Sequence, residues 1–275
     1  MTEENRKQEQ IEQEKRLKKN LSRIKNKIIV ISGKGGVGKT TVSVNLAYAL
    51  AMKNYKVGIM DIDIHGPNIA KMLGIEGKQL IGGQSGIEPF QALPNLKAMS
   101  IALLTKDQDS PIIWRGPLKM ATIKQFISDV NWGELDYLII DSPPGTGDEP
   151  LSTCQLIPDI NGAVIVTTPQ DVAILDSRKT VLFARQLNVP VIGIIENMSG
   201  LICPHCKEKT FLFGVNGGKN AAFDLNVPFL GQIPIEPDMV TYGDSGKPYI
   251  HFKRETETGK ILNEIVDRII SCNSK

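Results

Sequence analysis

The chain has 275 residues, 41% hydrophobic and 23% charged, with a formal net charge of +2. This is ample apolar material for one large α/β domain or two small ones, and it excludes a largely disordered chain. The near-neutral balance gives no electrostatic footprint for nucleic acid, no apolar run reaches the ~18 residues of a membrane span, and the opening MTEENRKQEQ has no apolar secretory core; we therefore expect a cytoplasmic protein with neither nucleic-acid nor membrane partners.

In chain order, residues 1–27 hold nine Lys/Arg against five Asp/Glu. Within them Leu17, Leu21, Ile24 and Ile28 recur at helical spacing. Residues 1–26 are expected to be a charged extension, helical or disordered. From residue 27 short apolar runs alternate with helical stretches. The runs fall at 27–32, 56–61, 96–103, 137–142, 162–168, 190–198 and 228–234, and little polar alternation interrupts them, as in strands buried on both faces. Helices are expected at 39–53, 117–129, 172–187, 217–225 and 256–271. The alternation predicts an α/β fold, a doubly wound, mostly parallel sheet flanked by helices, with ligands at the carboxyl ends of its strands. We expect one such domain over 27–272, with a CxxC insertion near 198–216. The segment 74–95 is glycine-rich and receives no assignment.

The run ISGKGGVGKTT follows the first strand and opens the first long helix. Gly33, Lys34, Gly35, Gly36, Val37, Gly38, Lys39 and Thr40 match G-x-x-x-x-G-K-Ser/Thr at every fixed position. Glycines let consecutive backbone N–H groups curl round an anion, and the helix N-terminus adds its dipole. Lys39 is expected to reach the β- and γ-phosphates of ATP, and the Thr40 hydroxyl to hold Mg²⁺, with Thr41 also in the nucleotide site. A carboxylate is then needed at a second strand end. YLIIDSPPG supplies Asp141, and KVGIMDID ends in Asp61 and Asp63, an i, i+2 pair that faces one side when extended. Asp63 is the expected partner of the attacking water, since the segment after it should fold over the phosphates.

The loop also contains a second lysine, Lys34. In this respect KGGVGKTT resembles the deviant Walker A motif of the P-loop ATPases that include MinD, ParA and nitrogenase iron protein. DIDIHGPNI (61–69), DSPPGTGDE (141–149), ENMSG (196–200), CPHC (203–206) and LGQIPIEPDMV (230–240) narrow the match to Mrp/ApbC-type iron–sulfur cluster carrier ATPases, over about residues 27–270. The resemblance implies that Lys34 reaches across a homodimer to the partner's phosphates, acting like an arginine finger. It further implies that Asn197 reads the adenine edge, that Pro234 lies near the base, that Asp63 and Asp141 orient water and sense Mg²⁺, and that Gly145 and Gly147 pivot a switch loop. Unlike some relatives, this chain has no large domain ahead of the loop and no cysteine before Cys154.

Of the four cysteines, Cys154 and Cys272 lack a partner spacing, whereas Cys203 and Cys206 are three apart. Two thiolates form half of a metal site. Two-fold symmetry would complete it, with both subunits giving Cys203 and Cys206 to one shared 4Fe–4S cluster. Zinc bridging two subunits and a redox dithiol are the alternatives. The expected function is slow, switch-type ATP hydrolysis coupled to carrying a cluster from a scaffold to apo-protein recipients. A MinD/ParA-like positioning ATPase acting on membrane or DNA is the competing function.

Overall fold

The computed structural model describes residues 3–64, 66–78, 80, 82–83, 86–104, 116–203, 205–206 and 208–273; His65 and Pro204, in two of the motifs above, lie outside them. The main sheet has eight strands: β1 (Ile24–Ile31), β2 (Val57–Asp61), β3 (Phe90–Leu93), β4 (Leu96–Ser100), β5 (Leu135–Asp141), β6 (Gly162–Thr167), β7 (Val191–Glu196) and β8 (Phe229–Gln232). Their spatial order is β8-β7-β6-β1-β5-β2-β4-β3. Every neighbouring pair is parallel except β3 and β4. The expected parallel α/β sheet is present, and all seven apolar runs form strands of it.

Both faces of β1 are buried, which explains its unbroken apolar run. Ile28 and Val30 face one core, which includes Leu46, Leu50, Leu262 and Ile265. Ile29 and Ile31 face the other, with Met60, Phe126, Trp132 and Leu138. Helix α1 (Lys39–Met52) is buried nearly all round, so it needs no polar face. Helices Gly116–Ser128, Asp171–Gln186, Gly217–Asp224 and Glu257–Asn273 fall where periodicity placed them. The last of these spends its apolar stripe, Leu262, Ile265, Val266 and Ile269, on the core.

Several elements differ from expectation. The edge strand β3 and helices Asp148–Leu156 and Pro237–Asp244 were not anticipated. Ile24 and Ile28 extend no helix: the leading helix runs from Glu3 to Ser22, and β1 begins at Ile24 because it pairs there with Leu135. The leading helix is tied down at its end. Leu17 and Leu21 are buried, and the Asn20 side-chain amide donates to the carbonyls of Ile127, Ser128 and Val130 at 2.9, 3.0 and 3.1 Å. It thereby satisfies acceptors at the end of helix Gly116–Ser128. Asn20→Ala is expected to cost about 1–2 kcal/mol in a urea melt; unchanged stability would show those carbonyls to be solvated instead. Among the described residues no helix is long and apolar enough to cross a membrane.

Candidate active site

The carboxyl ends of β1, β2, β5 and β7 bring the predicted site together. After Ile31 the chain turns through the glycine loop, with Gly36 and Gly38 at φ +80° and +82°, a left-handed conformation costly for any residue with a Cβ. Gly33 is required for a different reason. A Cβ there would fall 2.4 Å from the backbone of Asp176, so helix Asp171–Gln186 presses directly on the loop.

Asp141 is fully buried at the end of β5 and takes three donors. The Lys39 ammonium pairs with Oδ1 at 2.8 Å, the Thr40 hydroxyl donates to Oδ2 at 2.7 Å, and the Ser43 hydroxyl donates to Oδ1 at 2.7 Å. Ser43 escaped the sequence reading, although it lies four residues from Lys39 on the same helix face, a spacing that signals shared contacts. Asp61 is also fully buried, in parallel register with Asp141. Its Oδ2 accepts from the Ser100 hydroxyl at 3.0 Å and the Ile69 amide at 3.3 Å, and its Oδ1 from the Asp63 amide at 3.1 Å. Burial, and then the charge of Asp141, push its carboxyl up to about 8. A neutral acid therefore lies beside the Lys39–Asp141 pair.

These groups border a cavity of about 400 Å³ lined by the loop from Gly35 to Thr41, by Asp63, Asn68 and Lys71, and by Met239, Val240 and Asp244. Three of the lining side chains come from helix Pro237–Asp244, whose proline first turn hides it from a periodicity search. Asp63 is half-buried, and its carboxylate accepts the Gly66 amide at 3.3 Å. Lys34 is half-buried with no hydrogen bond or ion pair among the described residues, and it does not line the cavity of its own subunit. Neither Asn197 nor Pro234 belongs to the described lining. Asn197 instead donates its amide to the Val37 carbonyl at 2.9 Å, clasping the loop from below. Gly145, held at φ +91°, donates its amide to the Ser32 carbonyl at 2.7 Å.

The donor set fits a magnesium nucleotide. A loop of exposed amides, one buried lysine, a helix-start hydroxyl and an aspartate beside it are together the hard-oxygen and cationic groups that a phosphate chain and its metal require. The Ser32 hydroxyl, fully buried at the cavity wall, has no partner among the described residues. That is the expected condition of a group awaiting a polar ligand.

Cys203 and Cys206 lie on a hairpin, Leu201–Ile202 against Lys209–Thr210, beyond the end of β7. The Cys203 amide donates to the Glu208 carbonyl at 2.9 Å. Cys203 is half-buried and Cys206 exposed, and none of the four cysteines is in a disulfide. Cys154 is half-buried at the edge of the second core, and that burial pushes its thiol up to about 11. Among the described residues no group of three or more His, Cys, Asp or Glu could hold a metal.

Sheet order, glycine loop and buried lysine–aspartate pair together define a P-loop NTPase of the ParA/MinD class. A family model described as "ParA: NUBPL iron-transfer P-loop NTPase" matches residues 23–270, and the chain belongs to that family. The chain is 51% identical over 260 residues to the iron-sulfur cluster carrier protein of Methanocaldococcus jannaschii, covering 94% of this chain and 90% of the relative. It is 47% identical over 251 residues to the cytosolic Fe-S cluster assembly factor NUBP2 homolog of Dictyostelium discoideum, covering 90% and 95%. A nucleotide-binding protein of Archaeoglobus fulgidus, solved with ADP, superposes with a TM-score of 0.76 at 38% identity, over 89% of this chain and 95% of that one. The cell division ATPase MinD of Pyrococcus furiosus shares the fold, with a TM-score of 0.67 at 22% identity over 90% and 99%.

Proposed function

We propose that this chain is an ATP-hydrolysing carrier of 4Fe–4S clusters that works as a homodimer. The observation that carries the reading is the placement of a thiol pair, half of a tetrathiolate site, on a hairpin rooted four residues from the asparagine that clasps the phosphate loop. The names of the relatives, cluster carrier and cluster assembly factor, support the same cargo.

In the proposed reaction, loop amides and Lys39 hold the phosphate chain of ATP. Asp63 orients a water and takes its proton as the water oxygen bonds the γ-phosphorus and the bond to the β-phosphate oxygen breaks, giving ADP and phosphate. Thr40, with Asp141 behind it, would hold Mg²⁺, which neutralises charge on the leaving phosphate. Lys34, with no hydrogen bond or ion pair among the described residues, neutralises the partner's phosphates when two copies meet. Asn197 retains an amide oxygen without a hydrogen bond among the described residues, which suits the amino group of adenine, and Pro234 lies at the adjoining strand end. The cluster is cargo, bound by Cys203 and Cys206 of both subunits and delivered to apo-proteins. A positioning ATPase would need an exposed apolar helix for a membrane, and the last helix spends that face on the core.

Reconstitution with iron and sulfide under anaerobic conditions tests the reading. The chain is expected to take up about four iron per dimer with a broad visible absorption band, and Cys203→Ala or Cys206→Ala to abolish both. Iron content unchanged in both variants would overturn it, and zinc at one per dimer would replace the cluster with a structural bridge.

A further inference from the structure

Glu196, at the end of β7, has no exposed surface and no lysine, arginine or histidine partner among the described residues. Burying a carboxyl group this way is costly unless every lone pair is used. Here three donors occupy all but one of them. Ser199 donates its hydroxyl to Oε1 at 2.6 Å, Gln232 donates its side-chain amide to Oε1 at 2.8 Å, and the Gly218 amide donates to Oε2 at 2.6 Å. One carboxyl thus joins the end of β7, the root of the thiol hairpin, the end of β8 and the first turn of helix Gly217–Asp224.

The neighbours on either side carry this junction to both functional ends. Asn197 is bound through its side chain to Val37 in the phosphate loop and through its amide to Thr167 at 2.7 Å. Its side-chain nitrogen also lies where a Cβ on Gly38 would fall. On the other side, the Ser199 amide donates to Ile233 at 2.9 Å and the Gly200 carbonyl accepts from Ile235 at 2.7 Å, directly before the strand leading to Cys203. Between them Met198 is held at φ +58°, a conformation disfavoured for a side chain of its size. Such a turn persists only where its surroundings over-determine it, and the Ser199–Glu196 bond is one of those restraints.

We propose that Glu196 is the positioning residue that couples the phosphate loop to the thiol hairpin, so that nucleotide bound at the loop changes the exposure of Cys203 and Cys206. The proposal rests on the nucleotide and thiol sites of the preceding section, but not on the identity of the cargo. Phosphate draws the Val37–Gly38 amides inward, Asn197 follows the Val37 carbonyl, and Glu196 passes the displacement to Ser199 instead of letting the strained turn absorb it. Glu196→Gln keeps the shape but presents one donor where the carboxylate accepts, so Ser199, Gln232 and Gly218 cannot all be satisfied.

The test uses metal-free full-length protein and reads the alkylation rates of Cys203 and Cys206 by mass spectrometry, with and without a non-hydrolysable ATP analogue and Mg²⁺. The wild-type rates are expected to change about fivefold or more on nucleotide binding. In Glu196→Gln that response is expected to vanish, while the analogue binds with an affinity within about threefold of wild type. Ser199→Ala, which removes one donor and leaves the hairpin's backbone bonds, is expected to give an intermediate response. A wild type that does not respond, a Glu196→Gln chain that responds fully, or one whose thiols are equally faster with and without nucleotide would each overturn the coupling. Iron uptake is read separately, so losing the cluster reading leaves this outcome legible.

Discussion

Lys39→Ala is expected to abolish ATP turnover and, independently, to destabilise the nucleotide-free chain by about 3–5 kcal/mol. The two effects share one cause. Lys39 is the single cation within reach of Asp141 among the described residues; both side chains are buried, at 6% and 0% exposure, and the pair closes at 2.8 Å. Removing the ammonium takes the positive charge from the phosphate site and leaves the carboxylate with only the Thr40 and Ser43 hydroxyls in a region of low dielectric. Adding Asp141→Asn to Lys39→Ala should therefore restore much of the lost stability without restoring turnover. Phosphate release and guanidinium melts of the two variants check both halves. Normal turnover in Lys39→Ala would remove the phosphate-loop assignment, and a double variant no more stable than the single one would remove the buried-charge explanation.

Asp61→Asn is expected to flatten the pH dependence of folding stability. Asp61 is held near 8, far above its value in an unfolded chain, because its ionised form would be dehydrated and would face Asp141. Between about pH 4 and pH 8 the folded protein thus keeps a proton that the unfolded chain has lost. Stability must fall as pH rises through that window, on the order of 1 kcal/mol per pH unit. Below it both states are protonated and above it both are ionised, so the contribution is flat on either side. Asparagine stays neutral throughout and keeps an oxygen for Ser100 and the Ile69 amide but loses the bond from the Asp63 amide, so the decline should disappear while stability drops by a constant amount at every pH. Urea melts from pH 4 to 9 measure this directly. An undiminished slope in the variant would place the titrating proton elsewhere.

The two experiments bracket one design feature. With Asp61 a neutral acid and Asp141 paired to Lys39, two aspartates on adjacent parallel strands share a buried site. The Asp63 amide, bound to Asp61, fixes the start of the segment that lines the cavity from Asp63 to Lys71.

Much of this was legible in the chain, and the reasons are local. The phosphate loop is eight consecutive residues, and its cradle follows from glycine dihedrals and the helix start alone. Strands buried on both faces announce themselves as unbroken apolar runs. The thiol pair needs only its own spacing. The missed helices have local causes as well: Asp148–Leu156 carries Pro150 in its first turn, and Pro237–Asp244 opens on a proline. An acidic first turn after Gly147 was the available signal for the former.

Sequence alone thus singled out the glycine loop and the thiol pair, because each lies within one short stretch whose geometry the backbone imposes. Tertiary structure decided who stands behind them. Ser43 meets Asp141, Ser100 meets Asp61, Asn197 meets Val37 and Gly218 meets Glu196 only because parallel strands in fixed register end at one edge of the sheet. Residues tens to more than a hundred positions apart become neighbours there, and no periodicity within a segment records a contact made between segments.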